Sequence, residues 1–250
     1  MKRSLNAKSK LWARTALVSW SALAVATGAC GGGSGSANDA GAGGDASTLC
    51  TKQVVMKTAG MSKVVADFAT SADMMKVSWG YSSPTDFSGY SYTYPPALVS
   101  AMSADGWHVT GTVADYAGMA LGFSCAVDAS MFTGLSFSVK GNVGETGELV
   151  MAVATSPNDV KKDKDAAAWG QCVPANSEYD GTCLAPRVDV PVTTTLNTVK
   201  VKWADLKGGA PQASVSPNSL SSIVWTFDWV AGATPYPVDV TIDDVVFTVD

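Results

Sequence analysis

The sequence has 250 residues, with 17 Lys and Arg against 22 Asp and Glu and a formal charge of −5 at pH 7. Residues 1–29 hold five of the basic side chains and no acidic one, so the remaining 221 residues carry 12 basic against 22 acidic groups, a formal −10. That excess, with no basic cluster beyond Lys161, Lys162 and Lys164, argues against a nucleic-acid partner. A single histidine, His108, argues against multi-His metal sites and most His-based catalysis.

The chain opens on an export signal. Met1–Arg14 is positively charged, and Thr15–Thr27 is an uncharged stretch of 13 residues, too short to cross ~30 Å of hydrocarbon as a helix. Thr27-Gly28-Ala29-Cys30 resembles a bacterial lipobox, although Thr27 stands where that pattern prefers Leu. The resemblance implies cleavage before Cys30 and lipidation of its thiol, with several acyl chains giving a stable anchor. Gly31–Ser36 then supplies a flexible tether. Glycine rather than aspartate after the cysteine is similar to Gram-negative lipoproteins of the outer membrane. The expected layout is a signal peptide over 1–29, the lipidated Cys30 and a Gly/Ser/Ala-rich tether over 30–49, and one folded domain over 50–250, about 200 residues and large enough for one core.

Within that domain, alternation with period two recurs in chain order. Val64–Phe68 is a short apolar run, and Met119, Leu121 and Phe123 share one face. Leu135, Phe137 and Val139 alternate with Ser136, Ser138 and Lys140, and Leu149–Ala154 is another apolar run. Val199, Val201 and Trp203 alternate with Lys200 and Lys202; Ile223, Trp225, Phe227 and Trp229 share one parity; Val238, Val240 and Ile242 alternate with Asp239 and Thr241. Turn-rich segments at Ser130–Gly134, Gly141–Gly147, Lys207–Gly209 and Gly232–Pro237 separate them. Pro96–Ala104 and Ala166–Trp169 have room for single helical turns. Many short strands in 200 residues predict an all-β fold, a jelly-roll β-sandwich of two antiparallel sheets.

The cysteines support an oxidising compartment. With Cys30 assigned to lipid, Cys50, Cys125, Cys172 and Cys183 remain, an even number that allows two disulfides in three pairings. Cys172 and Cys183 enclose a polar ten-residue loop whose closure contributes roughly 3 kcal/mol. That choice leaves Cys50 with Cys125. No CxxC motif is present.

Four pieces of the chain resemble the galactose-binding-like jelly rolls found in carbohydrate-binding modules, in a bacterial lipoprotein setting. They are Val64-Val65-Ala66-Asp67-Phe68, then Trp107–Gly111 leading through Tyr116-Ala117-Gly118 to Cys125–Asp128, then Phe132–Phe137, and the closing Ile242-Asp243-Asp244-Val245-Val246-Phe247. The resemblance covers about residues 61–250 and implies a jelly-roll fold and a carbohydrate ligand.

Candidate functional residues are few. Ile242 and Val240 fall on one parity and Val245 and Phe247 on the other, so a β-bulge is expected at Asp243–Asp244. Two carboxylates brought together there need a cation, and oxygen ligands suit Ca2+. The resembling modules often hold a structural calcium between their first and last strands, which makes Asp67 a candidate co-ligand. Trp79–Tyr94 is the densest aromatic stretch, with Trp79, Tyr81, Tyr90, Tyr92 and Tyr94. Flat aromatic rings stack on the apolar C–H faces of sugars while neighbouring polar groups bond the hydroxyls, and Tyr90, Tyr92 and Tyr94 alternate so that one strand face could display them. The long aperiodic segment Thr155–Arg187 adds Trp169 and Tyr179 as candidates.

His108 has no nucleophile motif beside it, and its parity places it opposite Trp107 and Val109, on the solvent side. The leading expectation is therefore a non-catalytic surface lipoprotein that binds a neutral polysaccharide through aromatic residues, with no cofactor for catalysis. Its membrane contact is through the lipid anchor alone. A structural or adhesion domain with a protein or envelope partner is the first alternative. A jelly-roll glycosidase or polysaccharide lyase is the second; it needs two carboxylates, or a carboxylate–tyrosine pair, facing each other in a cleft, and Glu145, Glu148 and Glu178 all fall in predicted turns.

Overall fold

The computed structural model describes residues 53–54, 63–66, 68, 89–95, 97–103, 105–144, 147–161, 170–177, 180–229 and 234–249. The expected assignments at Cys30, Cys50, Asp67, Trp79, Tyr81, Trp169 and Tyr179, and at the turn Ala166–Trp169, lie outside these residues.

The described chain forms twelve strands and one short 3-10 turn at Pro217–Ser219. The strands are β1 (Gln53–Val54), β2 (Lys63–Ala66), β3 (Gly89–Tyr94), β4 (Val99–Ser103), β5 (Gly106–Val113), β6 (Gly118–Asp128), β7 (Gly134–Asn142), β8 (Glu148–Thr155), β9 (Arg187–Pro191), β10 (Asn197–Lys202), β11 (Leu220–Phe227) and β12 (Tyr236–Thr248). They build a jelly-roll β-sandwich. One sheet runs β1-β6-β11-β8-β9 with β3 also on β6; the other runs β10-β7-β12-β5-β4 with β2 also on β12. Pairing is antiparallel except for the two-residue match of β1 with β6.

The alternation seen in the sequence becomes the core. Met119, Leu121 and Phe123 of β6, Leu135, Phe137 and Val139 of β7, Ile223 and Trp225 of β11, and Val240 and Ile242 of β12 are all fully buried between the sheets. Each such side chain contributes roughly 1.5–3 kcal/mol by leaving water. Phe137 meets Trp225 edge-on with ring centroids 5.4 Å apart, and Phe247 packs on Phe132 at 5.4 Å and Trp203 at 6.1 Å. Trp203 lies just past β10, where its indole N–H donates to the Phe132 carbonyl at 2.8 Å.

Two local outcomes qualify the sequence reading. Pro96–Ala104 does not hold a helical turn over its second half: Val99–Ser103 is strand β4, paired with β5 from Val99↔Thr110 to Ser103↔Gly106. Gly106, the first residue of β5, adopts φ 109°, closed to most L-residues. The apolar residues there looked helical because their partner strand is a tertiary fact. The expected bulge in β12 is present. Its register against β7 shifts between Asp243 and Val246, and Asp244 sits at φ 49°. The phase break lets Ile242 and Val245 both point inward, each fully buried.

Cys172 and Cys183 form a disulfide, with an S–S length of 2.03 Å. Cys125 is also disulfide-bonded. The pairing Gln53↔Val127 brings the chain just after Cys50 alongside the strand that carries Cys125.

Candidate functional site

Antiparallel partners directly opposite one another project to the same side of a sheet. Following the register across the first sheet therefore maps its outer face. One row reads Tyr94–Gly118–Thr226–Val150–Asp189, and the next reads Tyr92–Ala120–Val224–Ala152–Arg187. Tyr92 and Tyr94 thus share the outward face at the β3 edge, as their alternation predicted. Tyr90 continues the backbone register opposite Gly122.

The tyrosines make a continuous aromatic wall. Tyr92 and Tyr94 have ring centroids 6.2 Å apart, and Tyr94 stacks on Tyr116 at 5.3 Å and 25°. The Tyr94 hydroxyl meets Thr226 Oγ1 at 3.2 Å, and the Tyr116 hydroxyl reaches the same oxygen at 3.5 Å. Burial pushes the Tyr94 phenol well above its ordinary pKa, helped by the neighbouring Tyr116. Gly118 makes the arrangement possible, because a methyl group there would overlap the Tyr94 hydroxyl and the Trp225 carbonyl.

Exposure divides this face in two. Ala120, Val224, Ala154 and Ser222 are buried on it, outside the core between the sheets, and Ser222 Oγ has no hydrogen-bond partner. The band through Tyr92, Tyr94, Tyr116, Thr226, Val150 and Ala152 stays half-buried, and it ends at the exposed Arg187 and Asp189. Tyr94 lies between Tyr92 and Tyr116, and the three rings together line one end of this face. Tyr116 precedes β6 in a loop; its proximity to β3 is set by the fold, so no local pattern in the sequence marked it as a wall residue.

The outer face of the second sheet is different in kind. Ser103, Asp105, His108, Lys140, Asp239 and Thr241 line a depression of about 350 Å³. His108 Nε2 lies 2.8 Å from Asp239 Oδ1, with both side chains well exposed. His108 thus faces solvent as its parity predicted. Its pairing with Asp239 was not legible, because it depends on β5 lying beside β12.

At the β12 bulge the Asp244 backbone N–H donates to Asp243 Oδ1 at 2.8 Å. Among the described residues, no three His, Cys, Asp or Glu side chains gather as a metal site requires.

The segment Thr155–Arg187 is well organised where it is described. Asn158 is buried, with its Nδ2 facing the carbonyls of Leu184, Ala210 and Gln212 at 2.7–2.9 Å. Inside the disulfide loop, the Asp180 carboxylate accepts from the backbone N–H groups of Asn176, Ser177 and Thr182 at 2.6–3.4 Å. These bonds, those from Thr182 foremost, hold it far below the usual carboxylate range.

No protein-family model matches the chain, and no curated protein matches it. Solved structures do. The family 11 carbohydrate-binding module from Clostridium thermocellum, in complex with a β-1,3-1,4-mixed-linked tetrasaccharide, is 14% identical with a TM-score of 0.45, over 75% of this chain and 95% of that one. The family 11 module of the cellulosomal cellulase Lic26A-Cel5E of the same organism is 14% identical with a TM-score of 0.46, over 77% and 97%. A family 29 carbohydrate-binding module is 10% identical with a TM-score of 0.38, over 75% and 87%. At such identities and TM-scores, a ligand for this chain has to be argued from its own residues.

Proposed function

We propose that this chain is an exported, lipid-anchored protein of a Gram-negative outer membrane whose jelly roll binds a neutral polysaccharide without acting on it. The observation that carries the binding reading is the half-exposed wall of Tyr92 and Tyr116 on the outer face of a sheet, beside the Thr226 hydroxyl and in line with the Asp189 carboxylate at the far edge of that face. Aromatic rings outside the core gain little in water, whereas a sugar offers them an apolar ring face and offers the flanking oxygens its hydroxyls. The same reading keeps a lipid on Cys30 and a structural Ca2+ on Asp243, Asp244 and Asp67.

The test is retention of the full chain in affinity gels and on a glycan array. Binding to a neutral polysaccharide is expected. Tyr92→Ala should weaken it about tenfold, the loss of one well-placed contact of ~1.4 kcal/mol. Retention by no glycan returns the domain to a structural or adhesive role. For calcium the measurement is Tm: a fall on chelation that Ca2+ restores supports the site, and an unchanged Tm removes it.

A further inference from the structure

The row that begins at Tyr92 does not stop at Arg187. Arg187 N–H donates to the Lys207 carbonyl at 2.8 Å, and Lys207 N–H donates back to the Arg187 carbonyl at 3.0 Å. This reciprocal bridge makes the two residues directly opposite partners, so their side chains leave the same face. Both are exposed, and neither forms an ion pair among the described residues. Like charges directly opposite in a ladder are destabilising. Here the chain places two of the 12 basic residues that follow position 29 in that relation, at the far end of its aromatic face. Arg187 is the only arginine beyond residue 29, and its planar fork matches carboxylate and sulfate oxygens. Asp189 lies two residues along the same strand face and forms no ion pair among the described residues; its carboxylate is an acceptor for hydroxyls.

We infer that Arg187 and Lys207 form a subsite for an anionic substituent, carboxylate or sulfate, on the glycan whose neutral rings stack at Tyr92 and Tyr116. The four strand spacings from Tyr92 to Arg187 amount to roughly 19 Å, so the ligand is an oligosaccharide laid across the strands and not a single sugar. The inference rests on the carbohydrate reading above and revises its ligand from a wholly neutral polysaccharide to one that carries an anionic group. The ligand has a neutral backbone with a charged decoration, and an anion there relieves the repulsion that the bridge creates.

The experiment is a glycan array holding each neutral oligosaccharide beside its carboxylated and its sulfated counterpart, probed with the full chain and with Arg187→Ala/Lys207→Ala, Tyr92→Ala and the wild type. The expected result is a preference of about tenfold for an anionic member over its neutral counterpart, shrinking as salt rises. The double variant should lose the preference while keeping neutral binding and Tm, since both side chains are exposed. Comparing the two anionic arms shows which group is taken. Equal binding of neutral and anionic members, or a preference that survives the double variant, overturns the subsite and leaves the carbohydrate reading intact if Tyr92→Ala still weakens binding. Retention of nothing on the array overturns both.

Discussion

The two outer faces of this sandwich are built on the same alternation and carry opposite chemistry. On the first sheet, Tyr92 and Tyr94 stand outward on β3, the outward positions of β6 include Gly118, Ala120 and Gly122, β8 turns Val150 and Ala152 outward after Glu148 at its start, and Arg187 and Asp189 stand on the β9 edge. On the second, the outward positions of β5, β7 and β12 supply His108, Lys140, Asp239 and Thr241, an ordinary wet surface that includes the exposed pair His108–Asp239. Polar groups facing water need no ligand to account for them. Tyr94 and Tyr116, stacked beside Gly118, instead put flat rings on an outer face, and this is the feature on which the proposed ligand rests. The contrast teaches that the face to test is the one where small residues make room for large flat ones.

The largest effect should come from filling that room. Gly118→Val places branched carbon where the Tyr94 hydroxyl and the Trp225 carbonyl already sit. Overpacking of this kind costs about 1–3 kcal/mol. Tm should therefore fall, and glycan retention should be lost with the wall. Retention at the wild-type level would show that the wall does not form the binding surface, and the contrast between faces would break. A smaller effect is expected from Tyr94→Phe, which removes one hydroxyl from Thr226 at a cost of about 1 kcal/mol. It also changes the response to alkali. A phenol whose folded pKa is raised stabilises the fold fully below its unfolded value of about 10, and that stability drains as pH rises through the folded value. Tyr94 is raised by burial, and Tyr236, whose hydroxyl donates to the Asp228 carbonyl, is pushed up to about 12. Stability measured by denaturant between pH 9 and 12 should fall in the wild type and fall less steeply in Tyr94→Phe and in Tyr236→Phe. An identical slope in all three would remove the phenols as its cause.

The fold was legible because burial writes itself into a period of two. Leu135, Phe137 and Val139 announced one inward face, and the broken parity from Ile242 to Val245 announced the bulge at Asp244. The loop disulfide was legible because Cys172 and Cys183 bracket a short, largely polar loop of ten residues. What the sequence concealed is lateral. Strand order decides that Tyr116 stacks on Tyr94, that Arg187 stands opposite Lys207, and that His108 meets Asp239, residues separated by 22, 20 and 131 positions. No local pattern encodes those neighbours. Val99–Ser103 failed for the same cause, since an apolar run next to a proline declares itself a strand only once β5 lies beside it.

The smallest expected effect is the one that keeps the comparison honest. His108 and Asp239 form the only titratable side-chain pair in the second face's depression that lies within hydrogen-bond distance among the described residues, and it is the feature a search for catalysis would reach first. Both side chains are largely in water, where an ion pair is screened and typically contributes 0.2–1 kcal/mol. His108→Ala and Asp239→Ala should each change stability by no more than about 0.5 kcal/mol, and the double variant should cost less than their sum, because the shared contact is lost only once. Neither should alter glycan retention, since the pair lies on the opposite sheet from Tyr92. If Asp239→Ala abolished retention while Tyr92→Ala left it unchanged, the two faces would exchange roles and the aromatic wall would be an edge of the structure with no ligand. If both reduced it, the ligand would have to reach around the sandwich, which a single oligosaccharide on one face cannot do.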